Sequence, residues 1–261
     1  MKKTFILFAS LVFFFSAKSQ SLELGGHYYA ESNWFFNSNV TNSGGNPWNI
    51  QENYAAVYSY SYGFHLAYNF NDHISLESNV LWATLCQSYN NAYGAYNSGP
   101  VTGGILPDGE VYTAGESSKA ITTVNTIQIP LIFRFMAGNG AYFGLGPQID
   151  LLSSANYSAT YKGGPQQSES NDVTKAYASS FYSAVLSFGN NIRISHSFFF
   201  NINLRFAYNF TDMKGVDGLG QDLSNNNLYS GNNSFYPGHA ATNSVSASFG
   251  VGLIYRIGHD F

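Results

Sequence analysis

The chain has 261 residues, of which only 10% are charged and 17% are aromatic, and its mean hydropathy is -0.12. An average soluble domain contains about 25% charged residues, and a helical membrane protein would need long apolar runs. The formal net charge is -4, and the region after the N-terminus has no basic cluster, which argues against nucleic-acid binding. The composition is typical of strands that alternate apolar and polar residues, with aromatic residues near membrane interfaces.

The first residues have the pattern of a secretory signal. Two lysines follow the initial methionine, and residues 5–15 form an apolar stretch that is too short to span a bilayer as a helix. Ala17 and Ser19 supply the small residues of a cleavage site. We therefore expect a signal peptide at 1–19 and a single mature domain at 20–261.

Alternation with a period of two residues predicts eight strands. In chain order they are 22–34, 54–70, 74–87, 121–136, 141–152, 181–194, 198–210 and 245–257. The second is the clearest, because its even positions from Tyr54 to Phe70 are mostly aromatic and its odd positions are small or polar. No long uninterrupted apolar run follows residue 15, so a chain in a membrane would have to be a closed barrel with its large residues facing lipid.

The connections between these strands alternate in length. Tight turns are predicted at 71–73, 137–140 and 195–197, and the other four connections are long and rich in Asn, Gly and Ser. Short periplasmic turns and long extracellular loops are characteristic of outer-membrane proteins. The prediction is an all-β fold, an eight-stranded antiparallel up-and-down transmembrane β-barrel in the bacterial outer membrane. Ten strands are the alternative if a long connection, such as 88–118, contains its own hairpin.

Seven charged residues that fall clearly inside the predicted strands share the inward parity. They are four arginines and three carboxylates: Arg134, Arg193, Arg205, Arg256, Glu23, Glu77 and Asp150. An arginine on the lipid face near the midplane would cost about 2–4 kcal/mol, and arginine suits bidentate pairing with a carboxylate. We therefore predict a lumen ionic network of these seven residues. Two interpretations remain open: the network fills the narrow lumen, or it lines a path for protons or ions.

The chain contains none of the common catalytic or metal-binding motifs. It lacks His-Glu-x-x-His, Cys-x-x-Cys, a glycine-rich phosphate loop and Gly-x-Ser-x-Gly. His65 shares its strand face with Ser59 and Ser61, which leaves a lipid-modifying enzyme open as an alternative to a packed, hydrogen-bonded lumen histidine. We expect no catalytic residue, no cofactor and no metal site.

One segment resembles a known family. Residues 126–135 read Thr-Ile-Gln-Ile-Pro-Leu-Ile-Phe-Arg-Phe, and a short turn leads to Gly-Leu-Gly-Pro-Gln-Ile at 144–149. Ile129, Pro130 and Leu131, followed by Arg134 and Phe135, resemble the core of the PorT-type outer-membrane β-barrel family of Bacteroidota. The resemblance implies the same barrel, signal peptide and location. The family's namesake is an accessory part of the type IX secretion system, whereas most of the family has no assigned role.

These observations lead to three functional hypotheses. The first is a non-enzymatic barrel of structural or interaction type, with long extracellular loops and an extracellular or periplasmic protein partner. The second is a narrow pore or a type IX secretion accessory protein, and the third is a lipid-modifying enzyme. Outer-membrane lipid would surround the barrel in each case, and the terminal Phe261 resembles the signal that the barrel-assembly machinery recognises during insertion.

Overall fold

The computed structural model describes residues 20–37, 54–55, 57–90, 118–161, 168–214 and 241–258. The predicted signal peptide at 1–19 and the terminal Phe261 lie outside these residues. Among the described residues, no helix is long and apolar enough to cross a membrane.

The described residues form ten antiparallel strands, eight of which close into a barrel. The strands are β1 (Ser21–Asn37), β2 (Tyr54–Ala55), β3 (Tyr58–Asn69), β4 (Ile74–Asn90), β5 (Ser118–Met136), β6 (Ala141–Tyr161), β7 (Ser168–Asp172), β8 (Ser180–Arg193), β9 (Phe198–Asn209) and β10 (Thr242–Gly258). The barrel order is β1-β3-β4-β5-β6-β8-β9-β10, and β10 pairs back with β1. The short strands β2 and β7 pair with the ends of β4 and β6 outside this ring. The predicted eight-stranded antiparallel barrel is therefore confirmed.

The alternation in sequence separates two surfaces with opposite character. Along β3, Phe64 is 68% exposed on the outside, while its neighbour His65 is buried on the inside. Phe133 and Leu253 are exposed in the same way on other strands, whereas the inward-facing Asn201 is fully buried. An apolar exterior around a polar interior is the reverse of a soluble protein, and it matches a barrel whose outer surface contacts lipid.

Aromatic side chains gather on the exterior at both ends of the barrel. Near the outer end, the rings of Tyr60 and Tyr62 stack with centroids 6.4 Å apart, and Tyr62 stacks on Trp82 at 6.1 Å. Near the opposite end, the rings of Phe143 and Phe188 lie 5.3 Å apart. Two such groups correspond to the aromatic girdles that mark the two membrane interfaces.

Three tight turns and both termini of the barrel lie at one end. The turns join β3 to β4, β5 to β6 and β8 to β9. At this end Ser21 pairs with Gly258, so the first and last strands begin and finish together. The turn at 137–140 contains Gly140 with φ 87°, a conformation that glycine adopts without strain. Short turns and termini face the periplasm in outer-membrane barrels, and this end is called the periplasmic mouth below.

A β-bulge changes the inward parity of β6. Asn125 of β5 pairs with Ser154, and the adjacent Thr126 pairs with Leu152, so Ser153 is the extra residue. Before the bulge the even positions of β6 point inward, and after it the odd positions do, including the buried Tyr157. The strand continues to Tyr161, beyond the end predicted at residue 152.

Buried apolar side chains are found at the outer end of the barrel. They come from the outer ends of the strands and from two connecting segments: Phe35, Leu85, Val124, Ala155, Tyr157, Val173, Tyr177, Phe181 and Met213. The backbone N–H of Ala178 donates to Met213 O at 2.9 Å, and the N–H of Met213 donates to Thr242 O at 2.9 Å. These bonds fix Met213, which is fully buried. The nine residues are called the outer apolar layer.

Candidate functional site

The charged residues nearest the periplasmic mouth form an ion-paired cluster around Glu23. This carboxylate of β1 is fully buried, and its Oε2 lies 2.6 Å from Nη2 of Arg134 on β5. Its Oε1 accepts from Arg256 on β10, from Nη2 at 2.6 Å and from Nε at 3.1 Å. Asn69 also donates to Oε1 at 3.1 Å. Strand alternation places all of these side chains on the inner face.

Arg134 joins a second carboxylate to this cluster. Its Nη1 lies 3.3 Å from Oε2 of Glu77 on β4, and its Nε donates to Ser75 Oγ at 2.8 Å. The guanidinium also lies over the ring of Tyr142, 5.3 Å from its centroid. The side chain of Arg134 is fully buried. A buried guanidinium needs such a set of partners, because an unpaired charge away from water is very costly.

His65 lies between the two carboxylates. Its Nε2 is 3.5 Å from Glu23 Oε2, and its Nδ1 is 3.8 Å from Glu77 Oε1. The Nδ1 atom also lies 3.1 Å from Asn79 Oδ1, and the ring of His27 meets the His65 ring edge-on at 4.7 Å. His65 is therefore a packed lumen histidine in contact with acidic and amide groups.

The two serines on the His65 strand face bond elsewhere. Ser61 donates to Glu31, and Ser59 accepts from the backbone N–H of Cys86 at 3.1 Å. No hydrogen bond joins His65 to either serine within the part of the chain that the structure describes. The geometry gives no support to a serine–histidine catalytic pair.

A second polar cluster lies further up the lumen, around Arg205 of β9. Its Nη2 donates to Gln148 Oε1, and Gln148 Nε2 donates to Asp150 Oδ1 at 2.7 Å. The other oxygen of Asp150 accepts from Ser183 at 2.8 Å. The Arg205 guanidinium also covers the ring of Tyr29, 5.5 Å from its centroid. Asp150 therefore faces Arg205 through an amide bridge.

Six of the seven residues of the predicted network point into the lumen, and Arg193 does not. Glu23, Glu77, Arg134 and Arg256 form the lower cluster, whereas Arg205 and Asp150 belong to the upper one. Arg193 is exposed at the last position of β8, where its Nη2 donates to His196 O at 3.4 Å. Its position has the inward parity, but β8 ends there, and the side chain bonds to the turn that follows.

The predicted ionic network leaves out three buried residues of the lumen on β1. His27 lies beside His65, Tyr29 lies under Arg205, and Glu31 accepts from Ser61. All three share the inward parity of Glu23, so the alternation of β1 is sufficient to predict that they point into the lumen. No group of three or more His, Cys, Asp or Glu that could hold a metal ion occurs among the described residues.

The solved structures that resemble this chain, as given below, have low sequence identity to it. No protein-family model matches the chain, and no curated protein matches its sequence. The attachment invasion locus protein Ail of Yersinia pestis is 9% identical over 92% of this chain and 99% of that chain, with a TM-score of 0.35. OprG of Pseudomonas aeruginosa is 11% identical over 94% and 99%, also with a TM-score of 0.35. Neisserial surface protein A is 11% identical over 88% and 95%, again with a TM-score of 0.35. These values are low, and the fold assignment rests on the strand pairing of this chain.

The closed ring of antiparallel strands, the apolar exterior and the polar interior define an outer-membrane β-barrel protein. The predicted fold class and the predicted location in the bacterial outer membrane are confirmed. Membership of the PorT-type family stays a prediction, since it depends on the residues at 126–135 and no family model supports it.

Proposed function

We propose that this protein is a closed, non-enzymatic barrel that holds long extracellular connections in place for contact with another molecule. The filling of the lumen is the observation that carries the proposal. Inward-facing Arg134, Tyr29, Leu81 and Ile132 are all within 2% of complete burial. An eight-stranded barrel is just wide enough to be filled by side chains. The burial of these inward-facing residues supports a lumen that is filled in this way.

The connections at the outer end supply the second line of support. The described strands that flank residues 38–53, 91–117 and 215–240 reach the outer end of the barrel, whereas the turns at the periplasmic mouth have about four residues. Loops of an outer-membrane barrel commonly carry its function on a rigid scaffold. A barrel that needs only to stay closed and stable would not require such lengths of chain.

A narrow pore is the second candidate, and one observation favours it. Polar side chains extend from Arg256 at the periplasmic mouth through His65 and His27 to Arg205. The outer apolar layer then lies across the outer end, which opposes the passage of ions. A secretion accessory role, as the PorT-type resemblance implies, would be one form of the interaction function and would need a protein partner.

The interaction proposal is tested by cross-linking on intact cells. The full chain is compared with a variant in which residues 91–117 and 215–240 are each replaced by an Asn-Gly turn. Heat-modifiable migration on gels verifies that the variant barrel folds. We expect the full chain to give discrete cross-linked adducts, and the shortened chain to lose them. Identical adducts from both chains, or adducts from neither, would refute the proposal.

A further inference from the structure

The apolar exterior of β5 and β6 ends at neighbouring positions on the two strands. Every outward-facing residue is apolar from 127 to 135 on β5 and from 143 to 151 on β6. Each stretch spans nine residues, and a transmembrane strand needs about 9–11. The outer boundary of the apolar layer therefore lies just beyond Ile127 and Leu151, which pair with each other.

The next outward-facing row consists of hydroxyl and amide side chains. Asn125 on β5 pairs with Thr84 on β4 and with Ser154 on β6. Thr84 Oγ1 donates to Asn125 Oδ1 at 2.9 Å, and Asn125 Nδ2 donates to Ser154 Oγ at 3.0 Å. The three side chains are half-buried, and these bonds hold them in a fixed order across three strands.

The bulge in β6 extends this polar surface towards the outer end. With unbroken alternation Ala155 and Tyr157 would face outward, but the extra residue turns both into the outer apolar layer. Asn156 and Ser158 face outward in their place, and the exposed Asn156 pairs with Thr123 on β5. The polar residues that share this surface are called the polar face: Thr84, Thr123, Asn125, Ser154, Asn156, Ser158 and, on β7, Ser170 and Asp172.

Other strands carry tyrosine at this level of the exterior. Tyr58, Tyr182 and Tyr208 are exposed, and each lies 10 or 11 residues from the periplasmic end of its strand, as Thr84 and Asn125 do. Tyrosine suits a membrane interface because its ring is apolar and its hydroxyl group is polar. The residues of the polar face have no aromatic ring, so they offer hydrogen-bonding groups alone at the level of the lipid headgroups.

The chemistry of the polar face suits a neutral sugar. Its hydroxyl and amide groups both donate and accept hydrogen bonds, as the hydroxyl groups of a sugar do. No lysine or arginine occurs among its eight residues, and its charged member is the carboxylate Asp172, so it does not favour a phosphate. The face continues directly from the lipid-contacting surface at Ile127 and Leu151. A sugar carried by a membrane lipid would therefore lie against it.

We propose that the polar face binds the sugar headgroup of a glycolipid in the outer leaflet. The acyl chains pack against the apolar exterior of β5 and β6, and the sugar hydroxyl groups bond the side chains of Asn125, Ser154 and Asn156. Strand pairing and the bonds between Thr84, Asn125 and Ser154 order these groups before binding, which limits the entropy lost. The site lies on the barrel wall and does not depend on the interaction proposed for the outer connections, so the two can fail separately.

The test measures lipid binding to the full chain in phosphatidylcholine nanodiscs, by the amide NMR resonances of Ser154 and Asn156. The probe is digalactosyl diacylglycerol, and the matched probe is phosphatidylglycerol with the same acyl chains at the same mole fraction. We expect saturable shifts with the glycolipid. Phosphatidylglycerol should bind at least about fivefold more weakly, because its headgroup has fewer hydroxyl groups and its phosphate meets no cation on the polar face.

Three single variants complete the test. Asn125→Leu removes the central amide of the polar face and should weaken glycolipid binding about fivefold. The matched control Asn190→Leu makes the same change on the exterior of β8 near the periplasmic end, and it should leave binding unchanged. Tyr182→Phe removes a hydroxyl group at the level of the polar face but outside it, and it should also leave binding unchanged.

Heat-modifiable migration on gels verifies that each variant barrel folds. Equal binding of the two lipid probes, or shifts that do not saturate, would overturn the proposal. Unchanged binding by the Asn125 variant would overturn it as well, as would a control variant that weakens binding as much as Asn125→Leu does.

Discussion

Replacing Glu23 by Gln is expected to destabilise the barrel strongly. The carboxylate contacts two arginines at 2.6 Å each, and it lies 3.5 Å from His65. Glutamine has nearly the same shape, so the substitution removes the charge without opening a large cavity. Arg134 would then keep Glu77, at 3.3 Å, as its carboxylate partner.

The size of the effect follows from the burial of Arg134. Removing one partner of a buried ion pair costs about 3–5 kcal/mol, and here Arg134 and Arg256 would be left with Glu77 as the one carboxylate of the cluster, so that one positive charge is not balanced. Arg256 adds less, since its side chain retains 13% exposure and part of its charge is solvated. We therefore expect a loss of about 3–5 kcal/mol in the free energy of unfolding.

Glu31→Gln is the matched control. Glu31 lies on the same face of β1 and is also buried, but it forms no ion pair with a described residue, and its carboxylate accepts from Ser61. Glutamine keeps an oxygen that accepts this bond, so the change should be about 1 kcal/mol or less.

The assay is equilibrium unfolding by guanidinium chloride in lipid vesicles, followed by tryptophan fluorescence and by heat-modifiable gel migration at neutral pH. We expect the Glu31→Gln variant to be nearly as stable as wild type, and the Glu23→Gln variant to be much less stable than either. If the Glu23 variant is as stable as the Glu31 variant, the ion-paired cluster does not stabilise the barrel.

Three further substitutions test the exterior, the backbone packing and the outer end. Leu131→Arg places a charge on the lipid face and should lower the stability of the folded barrel by about 2–4 kcal/mol near the midplane. The effect is measured as loss of folding into vesicles, and unchanged folding would contradict a lipid-facing exterior. Gly63→Ala should lower the free energy of unfolding by about 1–3 kcal/mol, because the added Cβ would collide with Val80 O. In the control Gly26→Ala, the added Cβ would lie at an ordinary contact distance of 3.5 Å from Gly63 O. Equal stability of the two alanine variants would contradict the strand packing. Met213→Ala should cost about 2–5 kcal/mol and increase proteolysis from the outer side, and resistance equal to wild type would argue against the outer apolar layer.

Most of the fold was predictable because alternation with a period of two continues over long strands. From Tyr58 to Asn69 every Tyr, Phe and Leu faces outward, so the sequence alone is sufficient to predict the orientation of this strand. Prediction ended where this regularity is interrupted. Ser153 inserts an extra residue in β6, and the shifted parity concealed the inward position of Tyr157 and the true length of the strand.

The lumen residues were only partly predictable, for a different physical reason. Parity decides whether a side chain points inward, but it does not decide which inward groups meet across the barrel. Glu23 and Arg134 are 111 positions apart in sequence, and their contact depends on the stagger of strands that are not neighbours. Parity also fails at a strand end. Arg193 has the inward parity, but the chain turns immediately after it and its side chain is exposed.

Planar-bilayer recording shows whether the inner side chains close the barrel to ions. The purified full chain is inserted in concentrated potassium chloride, and heat-modifiable migration of the same sample verifies that it is folded. We expect a flat current without unitary steps, since packed polar and apolar layers fill the lumen. Steady single-channel steps of uniform size would contradict it and would favour the narrow pore.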